Sequence, residues 1–395
     1  MHSRLGPELS GTNPVRAGDH NQRVTLHAIR VNGLVTRTDL AAMTGLTGGA
    51  IANITKRLLR DGLILEAGRV RGPRGQPATQ LVINADSCFS VGLNVDRDHI
   101  TLVVLDFVGR VRARSSREIA FANPNTVRTF FQRSIGQLLA KAGVSRERLI
   151  GVGVAFPDDI ARAHLPKQPG DYAAWAFVKV DELIRDVLGV PVFVENDAAA
   201  AAIGEMQFGS GHQYRSFFYL LVTAALGGGL VVDGSYFRGA NGRSGEIGWL
   251  HSRNDSGHDT QLQNIASLSA LYQRLADRGL RVASPRGLTR LEPRARSVVD
   301  RWIRDSTDAL VDSIVAINCL INPEAILIGG RLPATLVDLL AASLNESMTR
   351  FADQLPAIAM VARAATADDA PAVGAAILPF SDRFLPTRFA VLKTG

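Results

Sequence analysis

The pattern of the chain changes at Asp86, and that change constrains the fold more than any other feature of its 395 residues. Ahead of it, apolar residues recur at helical spacing and close on a short hairpin pattern. Beyond it, strand-like and helix-like runs alternate to the end. A chain of this length exceeds one ordinary core, so the change of pattern reads as a domain boundary. Hydrophobic content of 46% and charged content of 21% belong to a folded globular protein. The opening stretch, 1–20, is polar and lacks the apolar core of a signal peptide, so it reads as a loose arm. No apolar run is long enough for a bilayer, which points to a cytoplasmic protein with no membrane partner. Cys88 and Cys319 lie in apolar runs without metal-like spacing and read as buried, reduced thiols.

Charge is divided at the same boundary. Residues 1–86 hold 11 Lys/Arg against 6 Asp/Glu, which is +5 of the total +7. A basic front on a near-neutral body suits a nucleic-acid module joined to something else, though basic ends also serve solubility. In this front module, 21–85, Val24, Leu26, Ile29 and Val31 fall near one face of a first helix that stops at Gly33. Thr36, with Asp39 three positions on, has capping-box spacing for a second helix that turns at Gly45. Thr47 caps a third, with Ile51, Ile54, Leu58 and Leu59 inward and Ala50, Asn53, Lys56, Arg57 and Arg60 outward. Two strand-like runs, Leu63–Glu66 and Thr79–Ile83, flank a loop with Arg69, Arg71 and Arg74. The series is that of a winged helix-turn-helix, which enters a major groove of double-stranded DNA. Its candidate groove residues are Arg37, Thr47, Asn53, Lys56 and Arg57, with Arg71 and Arg74 on the wing.

In the body, "LVVLDFVGRV" and "GLVVDGSYFRG" resemble each other, which hints at a duplicated α/β unit with a cleft between two lobes. The stretch "PVFVENDAAAAAIGE", 191–205, sets Glu195, Asn196 and Asp197 between a strand-like run and an alanine-rich helical one. By itself it leaves Asp197 open as a catalytic base, a grip on a small ligand, or a helix cap. The run "SFFYLLVTAALGGGLVVDG" reads as strand, glycine turn, strand.

These stretches, with "GVGVAFP", "GGGLVVDGSYFRGANGRSGEIG" and "INPEAILIGG", resemble the ROK family, which groups bacterial sugar kinases with sugar-responsive repressors. The resemblance implies an actin-like, hexokinase-like two-lobed α/β body: lobe 1 over 87–200, completed by a C-terminal helix near 370–382, and lobe 2 over 201–369, with 383–395 as a tail. It also implies that Asp197 holds the kinase-base position and that Asn196 and Glu246 hold sugar hydroxyls, contacts suited to carboxylates and amides. The family's first phosphate loop, D-x-G-G-T, is here "NVDRD", whose side chains crowd the approach that glycine permits and whose carboxylates repel phosphate. The second, G-T-G-x-G-G-G, is "TAALGGG", keeping only Gly227, Gly228 and Gly229. The adenosine-side "IGG", Gly329 and Gly330, can equally be a packing turn. The histidine of the family's zinc site is Trp249 here, its cysteine run is replaced by "DTQLQ", and His251 and His258 read as surface residues. Gln263 takes the place of a sugar-binding glutamate. Trp249 either stacks on a sugar face or fills the space that the metal site left.

The expectation is therefore a transcriptional repressor without enzymatic activity, zinc or ATP. It would bind operator DNA and sense a sugar or sugar phosphate at Asn196, Asp197, Glu246, Trp249 and Gln263. Because one winged helix makes few base contacts, a homo-oligomer, dimer or tetramer, is expected. An active sugar kinase carrying a DNA-binding domain, or a body kept only for assembly, remain the alternatives.

Overall fold

A computed structural model describes residues 14–71, 77–158, 160, 170–253, 257–282, 284–366 and 369–386. The chain divides into two compact units: 1–89 with 106–110 and 379–395, and 90–105 with 111–378.

The first unit opens with three helices, α1 (Pro14–Asn32), α2 (Arg37–Thr44) and α3 (Gly48–Arg60). Helix α1 starts at Pro14, inside the stretch expected as a loose arm. It buries Thr25, Leu26 and Ile29, whereas Val31, expected inward, is exposed. The predicted capping box forms: Thr36 Oγ1 accepts from the Asp39 amide, and the Asp39 carboxylate accepts from the Thr36 amide at 2.8 Å. Gly45 ends α2 at φ 67°, a left-handed conformation that glycine adopts without cost. Thr47 caps α3, whose inner stripe is Ile51, Ile54, Thr55 and Leu58. Thr55 takes the inward place expected of Leu59, which is half-buried. A three-stranded sheet in the order β1-β3-β2 completes the set: β1 (Val35–Thr36), β2 (Ile64–Arg71) and β3 (Pro77–Ile83). Strand β2 is longer than expected and carries Arg69 and Arg71 itself, bulging between Glu66 and Gly68. At two residues, β1 is too short to leave a periodic signal. The end of the chain also belongs here. Phe107 packs on Phe380 and Phe384 at 5.4 and 4.9 Å between centroids, and Arg23 Nη1 donates to the Asp382 and Leu385 carbonyls at 2.9 and 3.1 Å. So Phe384 and Leu385, expected as tail, are buried.

The second unit holds two five-stranded sheets with the same order. In one, β4 (Phe89–Val95), β5 (His99–Asp106), β6 (Val111–Glu118), β7 (Leu149–Ala155) and β8 (Val192–Glu195) run β6-β5-β4-β7-β8. In the other, β9 (Phe217–Val222), β10 (Leu226–Val232), β11 (Ser235–Tyr236), β14 (Ala325–Gly330) and β15 (Met360–Arg363) run β11-β10-β9-β14-β15. Each sheet starts as antiparallel hairpins and ends in a parallel pair. The two resembling stretches are the equivalent hairpins, β5 into β6 and β10 into β11. A small hairpin, β12 (His251–Arg253) with β13 (Asp259–Gln261), lies between β11 and β14 in sequence. The helices are α4 (Pro124–Ala142), α5 (Val180–Leu188), α6 (Asp197–Phe208), α7 (Gln263–Ala266), α8 (Leu268–Asp277), α9 (Pro293–Ile321), α10 (Ala334–Met348) and α11 (Ala370–Phe384).

Close approach explains the small residues. Helix α6 buries all five alanines, 198–202. A Cβ on Gly229 would stand 2.5 Å from Ala202 Cβ and 2.8 Å from the Ala198 carbonyl oxygen, so glycine lets β10 touch α6. Gly227, Gly228 and Gly229 are therefore strand residues, paired with Leu221, Leu220 and Tyr219, and the turn is Thr223–Ala225. This corrects the reading of the glycines as the turn. Gly92 and Gly153 likewise face the α11 carbonyls of Ala372 and Ala375, seating that helix on β4 and β7. Gly329 and Gly330 end β14 packed against Tyr219 and Val222, with Gly330 at φ 115°. Cys88 is buried, but Cys319 is exposed, contrary to expectation. On α9 it stands one position past the inward Asn318, about 100° around the helix.

Candidate functional sites

A cavity of about 560 Å³ lies in the second unit, lined by Asn196, Asp197, Glu246, Trp249 and Gln263 together. Side chains from three separate stretches of the sequence, 196–197, 246–249 and 263, are thus brought to one space. Strand β8 delivers Asn196 and Asp197 at its C-terminal end. Asn196, not Asp197, is the cap of α6: its Oδ1 accepts from the Ala198 and Ala199 amides at 2.9 and 3.1 Å. Its Nδ2 stays on the cavity side and donates to Asp158 Oδ2 at 3.3 Å. Asp197 is the first helical residue, 9% exposed, with Oδ1 accepting from the Ala198 amide at 2.9 Å. Burial, with the nearby Asp96 carboxylate second, pushes its carboxyl up to about 7, while the Arg97 charge opposes the rise.

Glu246 follows Gly245, and its Oε1 accepts from Arg243 Nε at 3.1 Å. Trp249 is 44% exposed beside the cavity, which favours a ligand-facing wall over a space filler. Gln263 opens α7 and donates from Nε2 to Gln261 Oε1 at 2.8 Å. Arg97, Asp158 and Arg243 also line the cavity, a place that sequence reasoning did not give them. Arg97 lies where the resemblance puts the first phosphate loop and Arg243 inside a stretch that carries the resemblance, but only the topology converges them with Asp158 on the cavity. Deeper, Glu195 is buried with Arg238 as its ion-pair partner. Burial holds its carboxyl above the usual range and Arg238 offsets part of that.

The places where the resemblance puts nucleotide phosphates carry side chains. "NVDRD" forms the tight turn from β4 to β5, closed by the Asp96 amide donating to the His99 carbonyl at 3.0 Å. Arg331, next after Gly330, donates from Nη1 to Asp98 Oδ1 at 2.9 Å and from Nη2 to Glu118. One guanidinium at the end of β14 therefore joins the opposite sheet at two points. Arg331, with the His99 hydrogen bond, holds the Asp98 carboxyl below its ordinary range against the effect of burial. Asp96, Asp98 and His99 bring donor atoms within 4.8 Å of one another, but Asp98 is already engaged by His99 and Arg331. His251 and His258 are exposed, the second next to the 259–261 strand, and neither cysteine is in this region. The donor set does not fit a thiolate zinc site.

On the first unit, α3 presents Asn53 and Lys56 as exposed and Arg57 as half-buried, with Thr47 exposed at its N-terminus. Arg37 is turned to the protein: its Nε donates to Thr55 Oγ1 at 3.0 Å and Nη2 lies 3.8 Å from Glu66. Arg69 is exposed on β2. The Arg71 side chain and Arg74 lie outside the described residues.

Residues 19–64 match the winged helix-turn-helix DNA-binding family, and residues 90–381 match the ROK family. An uncharacterized protein of Sinorhizobium fredii is 30% identical over 370 residues, 92% of this chain and 91% of that protein. The xylose repressor of Bacillus subtilis is 27% identical over 231 residues, 58% of this chain and 60% of the repressor. The crystal structure of a ROK family transcriptional regulator, a homolog of the Escherichia coli Mlc protein, shares the fold at TM-score 0.66. It is 21% identical and covers 93% of this chain and 96% of its own. A ROK hexokinase from Thermus thermophilus shares the fold at TM-score 0.54 and 24% identity, over 74% of this chain and 98% of its own. Over residues 90–381, most of its length, the chain belongs to the ROK family, with a winged helix-turn-helix DNA-binding domain ahead of that body.

Proposed function

We propose that this chain is a DNA-binding transcriptional repressor whose kinase-like body senses a sugar or sugar phosphate. One observation carries the reading: the sugar-facing groups share a cavity while the phosphate-facing positions hold side chains. Asn196, Asp197 and Glu246 offer the donors and acceptors that neighbouring hydroxyls need. Arg97 and the Arg331 bridge stand where phosphoryl transfer would require open, amide-lined turns. The winged helix supplies the output, with Asn53, Lys56 and Arg57 toward the groove. A dimer or tetramer on a palindromic operator, acting in the cytoplasm without ATP or zinc, completes the reading. No helix among the described residues is long and apolar enough to cross a membrane, which is compatible with it.

A kinase reading keeps one specific support: an Asp197 carboxyl near 7 is poised as a general base. Two measurements on the full chain separate the two readings. Binding to DNA from upstream of its own coding sequence is followed with and without a sugar panel, and ATP consumption is followed across the same panel. Sugar-dependent release without turnover is expected. Sustained turnover with any sugar would replace the repressor reading with that of an enzyme.

A further inference from the structure

Arg97 is an unusual group in the cleft. Its residue is 8% exposed, yet no described residue accepts a hydrogen bond from its guanidinium. The counter-charge recorded for it is Asp96 Oδ1, 3.8 Å from Nη1 and too far for a hydrogen bond. That oxygen already accepts from the Arg97 amide at 2.7 Å. The five N–H donors of the guanidinium thus have no acceptor among the described residues and open on cavity space, where a ligand can supply one. Arg97 also lines a second cavity of about 470 Å³, bounded by Phe121 and Tyr272 and carrying a further cation, Arg281. Both cavities share Arg97, Ala224, Ser269 and Gln273, so the guanidinium stands where the two adjoin. Of the acidic groups that line the first cavity, Glu246 accepts from Arg243 and Asp158 accepts from Asn196, while Asp197 feels the Arg97 charge but takes no hydrogen bond from its guanidinium. Asp98, on the wall of the second, is taken by Arg331 and His99.

We propose that the effector is an acidic monosaccharide, bearing a carboxylate or a phosphate, whose anionic group docks on Arg97 while Asn196, Asp197 and Glu246 hold its hydroxyls. The planar fork of a guanidinium matches either anion with two parallel hydrogen bonds. A fixed cation in this place binds a charge in the ground state, which is what a sensor needs. The inference rests on the cleft being the effector site.

The test is calorimetric titration of the full chain with matched sets: D-glucose, D-glucuronate and D-glucose 6-phosphate, then D-galactose, D-galacturonate and D-galactose 6-phosphate. In the set that binds, an acidic member is expected to bind about tenfold tighter than its neutral parent, or more, at low salt. The two acidic arms tell carboxylate from phosphate. Arg97→Gln should bring acidic and neutral members within about twofold of each other, and Arg97→Lys should keep part of the preference. Asn196→Ala should weaken every member of the set alike. Thermal unfolding of ligand-free Arg97→Gln, at or above the wild-type temperature, checks that the variant folds. Equal binding of acidic and neutral sugars, or a preference that survives Arg97→Gln, overturns the inference and leaves the cleft a sensor of neutral sugars. Binding of no member would remove the sugar-sensor reading and this inference with it.

Discussion

Asp197 is a carboxyl whose surroundings favour its protonated form: it is buried, beside the Asp96 carboxylate, and raised from 3.8 to about 7. The folded chain therefore holds this proton more tightly than the unfolded chain does. For a raised acid, stability falls as pH rises from about 4 to about 7 and is flat above. Asp197→Asn removes the charge that must otherwise be buried. Its unfolding temperature should match wild type near pH 4 and exceed it near pH 8, a gain of order a few kcal/mol at most. Scanning fluorimetry across pH reads this directly, and parallel curves for the two proteins would show that Asp197 is not the group responsible. The residues of this site were legible in unequal measure. Asn196, Asp197 and Glu246 sit in contiguous stretches that carry the resemblance to the ROK family, and that resemblance, not the residue types alone, marked them as expected hydroxyl contacts. The capping role went to Asn196 because it stands just before the first helical residue, where its Oδ1 meets the Ala198 and Ala199 amides. Arg97 was legible only as a departure from a phosphate loop, and Asp158 and Arg243 as ordinary charged residues, until the topology brings the three to one cavity.

Among the elements, helices with caps and stops were the most legible, because Thr36, Asp39, Gly45 and Thr47 act within a few residues of where they stand. The glycines of β10 were misread for the opposite reason: their requirement is the approach of α6, a neighbour in space that no local pattern shows. Helix α3 separates two kinds of contact that its exposed face can make. Lys56 carries charge with no sequence information and Asn53 can make paired hydrogen bonds to an adenine edge. Lys56→Ala should weaken binding about equally on operator and unrelated DNA and lower the salt slope by roughly one. Asn53→Ala should cost about 1–3 kcal/mol on the operator and little on unrelated DNA. Fluorescence anisotropy at several salt concentrations measures both. If the two variants behave alike, α3 is not reading bases.

For the whole molecule, the proposed sensing and DNA binding would be two equilibria on one chain, and any coupling between them is reciprocal whatever path it takes. The two sheets of the body are joined by Arg331 reaching Asp98 and Glu118, and the cavity between them is lined by groups from both. A ligand that touches both sides can favour one arrangement of the lobes over another only through a difference in its affinity for them. If an effector lowers operator affinity by a given factor, saturating operator must lower effector affinity by the same factor. A tenfold loss of DNA binding corresponds to about 1.4 kcal/mol of coupling, within the usual range. Calorimetric titration of the effector into the free chain and into the chain saturated with operator should give that same ratio. A body retained only for assembly predicts a ratio of one in both directions. Arg331→Ala loosens the joint between the sheets, so it should change this ratio while leaving binding of the operator by effector-free protein near its original strength. Equal ratios for Arg331→Ala and wild type would place the coupling elsewhere than in the bridge.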